Sequence, residues 1–498
     1  MGLHFSKEEF SNRKEKTLNS MKNEGVDALI MFRQESMYWL TGYDTFGYVF
    51  FQALVLDQKG NVILLTRAPD LRQAQNTSNI SDIRIWVDKD GANPADDLKI
   101  ILDELNLKGK KIGVEYEAYG LTGRNALRLN TVLQNYCSIE DKSELITKLR
   151  VIKSNEEISY VKKAANLADK ALDEVWKHAK AGVSESKILA EMNRVIFEGG
   201  GDYPANEFII GSGKNALLCR YQAEKQILNN QDQLTIEWAG TYRHYHSAMF
   251  RTIPIGKADL KHHKMHEACV EALTNCENKL KPGNKIGEVF DVHAKTFDDH
   301  GFKNSRMNAC GYSLGATFSP NWMDWPMLYT GNPYVIEPGN VFFMHMILMD
   351  SDNELAMNLG ETYLVTKDGN PAKQGERAYN PKTGKHVQVT LNRAVNLWPT
   401  PTTQEIEHPE AELTPNNRRL SKDGKSSHSL NLADSVKMWR TPTAANAKQG
   451  PKSKELYEKV KKDGSSAITL VDEVKMFPTP RARDWKDGYT VPPSVKNG

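Results

Sequence analysis

The 498-residue chain has no surplus of charge of either sign, with 65 Lys and Arg against 63 Asp and Glu. Proteins that hold nucleic acid or lie on a membrane carry a basic excess, so no nucleic-acid partner is expected for residues 1–370. Long hydrophobic runs are missing too. No apolar stretch approaches the roughly 18 residues that a membrane helix needs, and the early residues are charged every few positions. A cytoplasmic protein without a membrane partner is expected. Cysteine is scarce: Cys137, Cys219, Cys269, Cys276 and Cys310 are odd in number and form no CxxC pair, which argues against a disulfide framework or a zinc knuckle. A small-molecule substrate is the default partner that remains.

The length calls for two or three folding units. Residues 1–150 alternate helix-like and strand-like stretches: an amphipathic run from Phe10 to Glu24, a short apolar run from Asp27 to Phe32, and two strands around Asp57-Gln58-Lys59-Gly60. That order predicts an α/β domain with a mixed sheet. At Ser154, with Glu157 three residues on, a capping box opens a long helix and a second unit over 151–370. Further helices are predicted over Glu185–Glu198 and Lys264–Leu280. They alternate with strands near Phe208–Gly211, Gln233–Ala239, Tyr245–Ile255, Val341–Met349 and Thr362–Thr366.

From 371 to 498 the composition shifts to Pro, Lys, Asn, Thr and Ser. Three stretches (384–402, 424–443 and 464–481) each run from a glycine to an aromatic residue followed by a TP dipeptide, with Trp398, Trp439 and Phe477 as the aromatics. The segments between them are too polar to bury a continuous core, so a largely disordered repeat tail is expected.

Residues 231–252, QDQLTIEWAGTYRHYHSAMFRT, concentrate polar groups inside apolar runs. A hairpin turning at GTYR (240–243) would set Glu237 opposite His246, and opposed side chains share one sheet face. Such a carboxylate–imidazole pair serves acid–base or nucleophilic chemistry, or makes a structural cross-strand ion pair. In the chemical reading each charge favours the other, and His246 titrates above its usual value. His345 interrupts the apolar run 340–350, and Glu361 opens another strand.

Five segments in order, GSGKNALLCRY (211–221), EWAGTYRHYHSAMFRT (237–252), GYSLGA (311–316), VIEPGNVFF (335–343) and GETYLVTKDG (360–369), resemble the landmark segments of the M24 family. That family includes methionine and Xaa-Pro aminopeptidases, prolidase and creatinase. MYWLTGY (37–43) resembles its creatinase-type N-terminal domain. The resemblance covers about residues 10–368 and implies an α+β architecture: a pita-bread catalytic domain behind a smaller α/β N-terminal domain. The metallopeptidases of the family hold two metals through Asp, Asp, His, Glu and Glu. Here those positions fall on Glu237, Ala248, Tyr312, His345 and either Gly360 or Glu361, and a substrate-binding histidine falls on Arg220. The chain therefore resembles the metal-ligand-depleted branch of creatinase and ectoine hydrolase, and no cofactor is expected.

On that resemblance the chain hydrolyses a C–N bond in a small polar compound of the compatible-solute or amidino kind. Glu237 is its nucleophile or base, His246 its proton partner, His345 and Glu361 the groups that orient water or the leaving nitrogen, and Arg220 a carboxylate clamp. Tyr312, Trp322 and Trp325 wall the pocket, and Tyr43 and Phe46 complete it across a homodimer. Two alternatives stand beside this. One is a mononuclear divalent-metal hydrolase, Xaa-Pro-peptidase-like, using Glu237, His246, His345 and Glu361. The other is a catalytically silent scaffold used for binding. The tail repeats resemble the C-terminal part of phage DNA cytosine methyltransferases, but no ProCys nucleophile or glycine fingerprint accompanies them, so methylation is not expected.

Overall fold

A computed structural model of the chain describes residues 2–367 except 221, 222, 224 and 225, together with the backbone of five short strands between 371 and 428. Residues 1–375 and 376–498 form separate compact units. The repeat expectation falls on the second unit. Apart from two-residue strands at Lys385–His386 and Ser427–His428, those repeats lie outside the described residues.

The first sheet is built on β1 (Ala28–Met31), whose ALIM run is buried throughout, as a strand covered on both faces requires. β2 (Ala53–Asp57) and β3 (Val62–Arg67) form the expected hairpin, closed where the Asp57 carboxylate accepts from the Asn61 backbone. With β4 (Asp82–Trp86), β5 (Lys111–Val114) and β6 (Ser138–Asp141) the order is β4-β3-β2-β1-β5-β6, parallel and antiparallel pairs mixed. Helices α1 (Lys7–Asn23), α2 (Gln34–Thr41), α3 (Leu71–Thr77), α4 (Pro94–Glu104), α5 (Gly123–Leu133) and α6 (Glu144–Arg150) accompany it.

α7 (Asn155–His178) starts at the expected capping box: Ser154 Oγ accepts from the Glu157 amide, and Glu157 Oε2 accepts from the Ser154 amide at 2.8 Å. α8 spans Glu185–Glu198, α9 Leu260–Lys279 and α10 Ile286–Asp299. The second sheet contains β7 (Ile209–Ser212), β8 (Asp232–Tyr242), β9 (Tyr245–Ile255), β10 (Gly311–Ser313), β11 (Asp324–Met327), β12 (Val341–Asp350) and β13 (Leu355–Val365), in the order β11-β10-β12-β13-β9-β8-β7.

One face of this sheet belongs to the helices. The Trp238 indole donates to the Ala168 carbonyl of α7 at 3.0 Å, and Gly240 lies so close to the α7 backbone at Ala164 that no Cβ fits. Met346, Leu348, Met357 and Tyr363 pack with Met265, Cys269, Val289 and Phe297 of α9 and α10. Because alternate residues of a strand face opposite ways, Glu237, Ala239 and Thr241 point to the other, inner face.

Candidate functional site

The central hairpin closes differently from the expectation. Its turn has two residues, Arg243 and His244, with φ of 50° and 64°. Positive φ at both central positions is the primed turn whose twist matches the flanking strands. The register that follows sets Glu237 opposite Phe250, Ala239 opposite Ala248 and Thr241 opposite His246. The expected Glu237–His246 pair is therefore not formed: the two share the inner face but stand four residues apart, roughly 13 Å along the ladder.

Glu237 is the central residue of β8, one strand in from the β7 edge, and is buried. The Tyr312 hydroxyl on β10 donates to Glu237 Oε1 at 3.3 Å, and the Trp322 indole N–H donates to the same Tyr312 oxygen at 2.9 Å. Burial pushes the Glu237 carboxyl up to about 7, against the opposing pull of the Tyr312 hydrogen bond and the Arg220 charge. A carboxyl titrating near neutrality exchanges protons readily at working pH. Tyr312, expected as a pocket wall, is thus the partner of the carboxylate.

His246 is fully enclosed. Its Nε2 accepts from the Ala205 amide at 2.9 Å and its Nδ1 lies 3.2 Å from Thr317 Oγ1. Desolvation lowers its pKa to about 3, so the ring is neutral, and among the described residues no carboxylate bonds to it. The expected upward shift is reversed because burial acts without a paired anion to offset it.

His345 and Glu361 are divided by the sheet. Across adjacent strands Glu237, Phe250, Gly360 and His345 form one row and so share the inner face. Glu361 is next to Gly360 and points to the helix-covered face, where Arg251 forms an ion pair with it. Gly360 itself admits no side chain: a Cβ there would meet the Phe343 ring at 2.8 Å and Phe250 Cβ at 2.9 Å. Glu361 is accordingly not on the inner face beside Glu237. His345 is, with its ring 5.7 Å from that of Tyr312 and its Nδ1 without a hydrogen-bond partner among the described residues. Burial lowers its pKa to about 4.

The aromatic residues also separate. Trp322 is buried against Tyr312, its indole donating to the Tyr312 hydroxyl. Trp325 turns away and packs edge-on against Tyr334, lining a cleft of about 460 Å³ with Arg33, Glu35, Tyr48 and Asp324. Tyr43 is fully buried inside the first sheet's core, its hydroxyl donating to Gln52 Oε1, so it cannot enter any pocket. Phe46 is 78% exposed. Arg220 is exposed and contributes its charge to the Glu237–Tyr312 pair. Sequence reasoning missed Thr317, Ala205 and Arg251. Nothing in their local pattern sets them apart, because their roles arise from contacts between distant segments.

Residues 13–152 match the model of the creatinase/prolidase N-terminal domain, and residues 159–367 match that of metallopeptidase family M24. The ectoine hydrolase of Halomonas elongata is 26% identical over 387 residues, covering 74% of this chain and 96% of that protein. The Xaa-Pro dipeptidase of Pyrococcus horikoshii is 23% identical over 359 residues, covering 71% and 94%. Among solved structures, a dipeptidase from Pyrococcus horikoshii superposes with a TM-score of 0.64 at 21% identity, over 73% of this chain and 97% of that one. The prolidase of Thermococcus sibiricus gives 0.66 at 20%, over 73% and 96%. The expected fold, a pita-bread domain behind a creatinase-type domain, holds.

The expectation of no cofactor does not. The matching model is that of a metallopeptidase family, and the relatives include Xaa-Pro dipeptidases, which typically carry two metals. At the corresponding positions the side chains of this chain do not fit such a pair. Ala248 offers no donor atom, Gly360 has no room for one, and the Tyr312 hydroxyl is engaged by Glu237 and Trp322. Among the described residues no group of three or more His, Cys, Asp or Glu is arranged to hold an ion. The alternative single-metal set of Glu237, His246, His345 and Glu361 is likewise dispersed over both faces.

Proposed function

We propose that the chain opens a C–N bond in a small, polar, carboxylated compound of the compatible-solute or amidino kind, a reading supported by the match of residues 159–367 to metallopeptidase family M24 and by the likeness to an ectoine hydrolase. The observation that carries this reading is Glu237: one buried carboxyl on the inner face, held near neutral pKa, with a phenolic donor on one oxygen and a guanidinium charge beside it.

In this reading ionised Glu237 removes a proton from water as the water attacks the amide or amidine carbon. The same carboxyl then returns the proton to the departing nitrogen, so one residue serves as base and acid in turn. The Tyr312 hydroxyl keeps Glu237 Oε1 oriented and leaves the other oxygen for water. Arg220, exposed at the edge, clamps the substrate carboxylate with its planar fork. Neutral His345, with Nδ1 unpartnered, offers a hydrogen bond to a substrate nitrogen. Trp322 closes the wall behind Tyr312.

The likeness to an ectoine hydrolase over nearly that protein's whole length supports a cyclic amidine as the first substrate to test. We further place the enzyme in the cytoplasm as a homodimer. No described helix is long and apolar enough to cross a membrane, the five cysteines are free, and Phe46, Val49 and Phe50 expose an apolar edge suited to a second copy. Incubating the purified full chain with ectoine, with creatine and with an Xaa-Pro dipeptide tests the substrate class. Turnover of the cyclic amidine is expected, and turnover of the dipeptide alone overturns the reading.

A further inference from the structure

We propose that His246 is a positioning residue for Glu237, acting across the inner face through two hydrogen-bonded stretches, His246 to Thr317 to the Trp322 carbonyl and the Trp322 indole to Tyr312 to Glu237, joined by the body of Trp322. The inference rests on the reading of Glu237 as the base.

Each step fixes the next. The Ala205 amide can only donate, so His246 Nε2 accepts at 2.9 Å. A neutral imidazole has one N–H, and that proton must then sit on Nδ1, which faces Thr317 Oγ1 at 3.2 Å, with the carbonyls of Gly315 and His244 also beside the ring. Having accepted, Thr317 directs its own hydroxyl proton to the Trp322 carbonyl at 3.5 Å. That contact holds the backbone from which the Trp322 indole N–H reaches Tyr312 at 2.9 Å, and Tyr312 donates onward to Glu237 Oε1. Every donor points toward the carboxylate. His246, Thr317, Trp322, Tyr312 and Glu237 are all buried, and in such surroundings a displaced donor is costly, so Trp322, held at its carbonyl and at its indole, transmits position from one end to the other. A histidine serving only as filler would not need the far end of its network to finish on the buried carboxyl of Glu237.

The test uses the full chain and substitutions that keep volume. Thr317→Val removes both Thr317 bonds, whereas Thr317→Ser retains them. With ectoine as probe, Thr317→Val is expected to lower kcat about tenfold with KM within about a factor of two, and Thr317→Ser to restore it. In a Tyr312→Phe background Thr317→Val should cost nothing more, because the chain is already cut before Glu237. A spectroscopic arm needs no substrate. The ¹⁵N resonances of His246, assigned by loss in His246→Gln, should show the Nδ1–H tautomer, and Thr317→Val should displace the Trp322 indole N–H signal while Thr317→Ser does not. An Nε2–H tautomer, or an indole signal indifferent to Thr317→Val, overturns the chain. A wild-type enzyme inert toward ectoine defeats the substrate reading instead, and the spectra still decide this one.

Discussion

The Tyr312 hydroxyl and the Glu237 carboxylate meet at 3.3 Å inside the inner face of the second sheet. The phenol's donation favours the ionised carboxylate, and burial opposes it and prevails. Removing the donor in Tyr312→Phe therefore raises the Glu237 pKa above about 7. A base must be ionised to act, so the acidic limb of kcat/KM moves to higher pH, and the rate at pH 7 falls by roughly ten- to a hundredfold. A limb that stays in place would remove Tyr312 from the electrostatics of Glu237.

The same carboxyl links stability to pH. Its folded-state pKa of about 7 lies above the ordinary carboxyl value of 4.5. The proton it holds therefore stabilises the fold fully below the unfolded pKa, and that contribution is lost as pH rises through the folded one. Across that window the ionised group costs of order 3 kcal/mol. Glu237→Gln carries no such charge, so its melting temperature should exceed that of wild type by a few degrees at pH 8, with the gap closing toward pH 5. Thermal unfolding at both pH values measures it, and a constant gap would contradict it.

His246 and His345, with pKa values lowered to about 3 and about 4, are neutral across the working range. Neither can set an alkaline limb. His246→Gln should leave the shape of the pH–rate profile above pH 7 unchanged while lowering its height. Disappearance of an alkaline limb in that variant would restore His246 as a titrating acid.

Arg150 of α6 donates to Asp324 Oδ2 at 2.7 Å and to the Ala316 carbonyl, with both side chains under 5% exposed and Lys153 buried nearby. Asp324→Ala leaves the Arg150 guanidinium without its buried anion, a change worth about 3–5 kcal/mol. A melting temperature lower by several degrees is expected, and an unchanged one would show that water replaces the pair.

Much of this was legible in the chain. The Ser154–Glu157 capping box, the Asp57–Gly60 turn and α8 fell where local chemistry put them, because each depends on neighbours a few residues apart. The central hairpin did not. Gly240 looked like a turn glycine, but it is glycine because α7 passes too close for a Cβ, and the turn falls instead on Arg243 and His244. Displacing the turn changed the register and undid the Glu237–His246 pair. The last family position shows the same sensitivity: a one-residue choice between Gly360 and Glu361 selects the face of the sheet, and only the pairing with Phe250 and His345 settles it. Tyr43 lay in an aromatic run whose burial depended on the whole first core.

The most direct test of the account is the hydrolysis of ectoine by the full chain and by its Glu237→Gln variant, followed as appearance of the ring-opened product. The account predicts turnover by the wild type and a loss of at least about a thousandfold in the variant, which can neither ionise nor return a proton. A variant that retains the wild-type rate would contradict it.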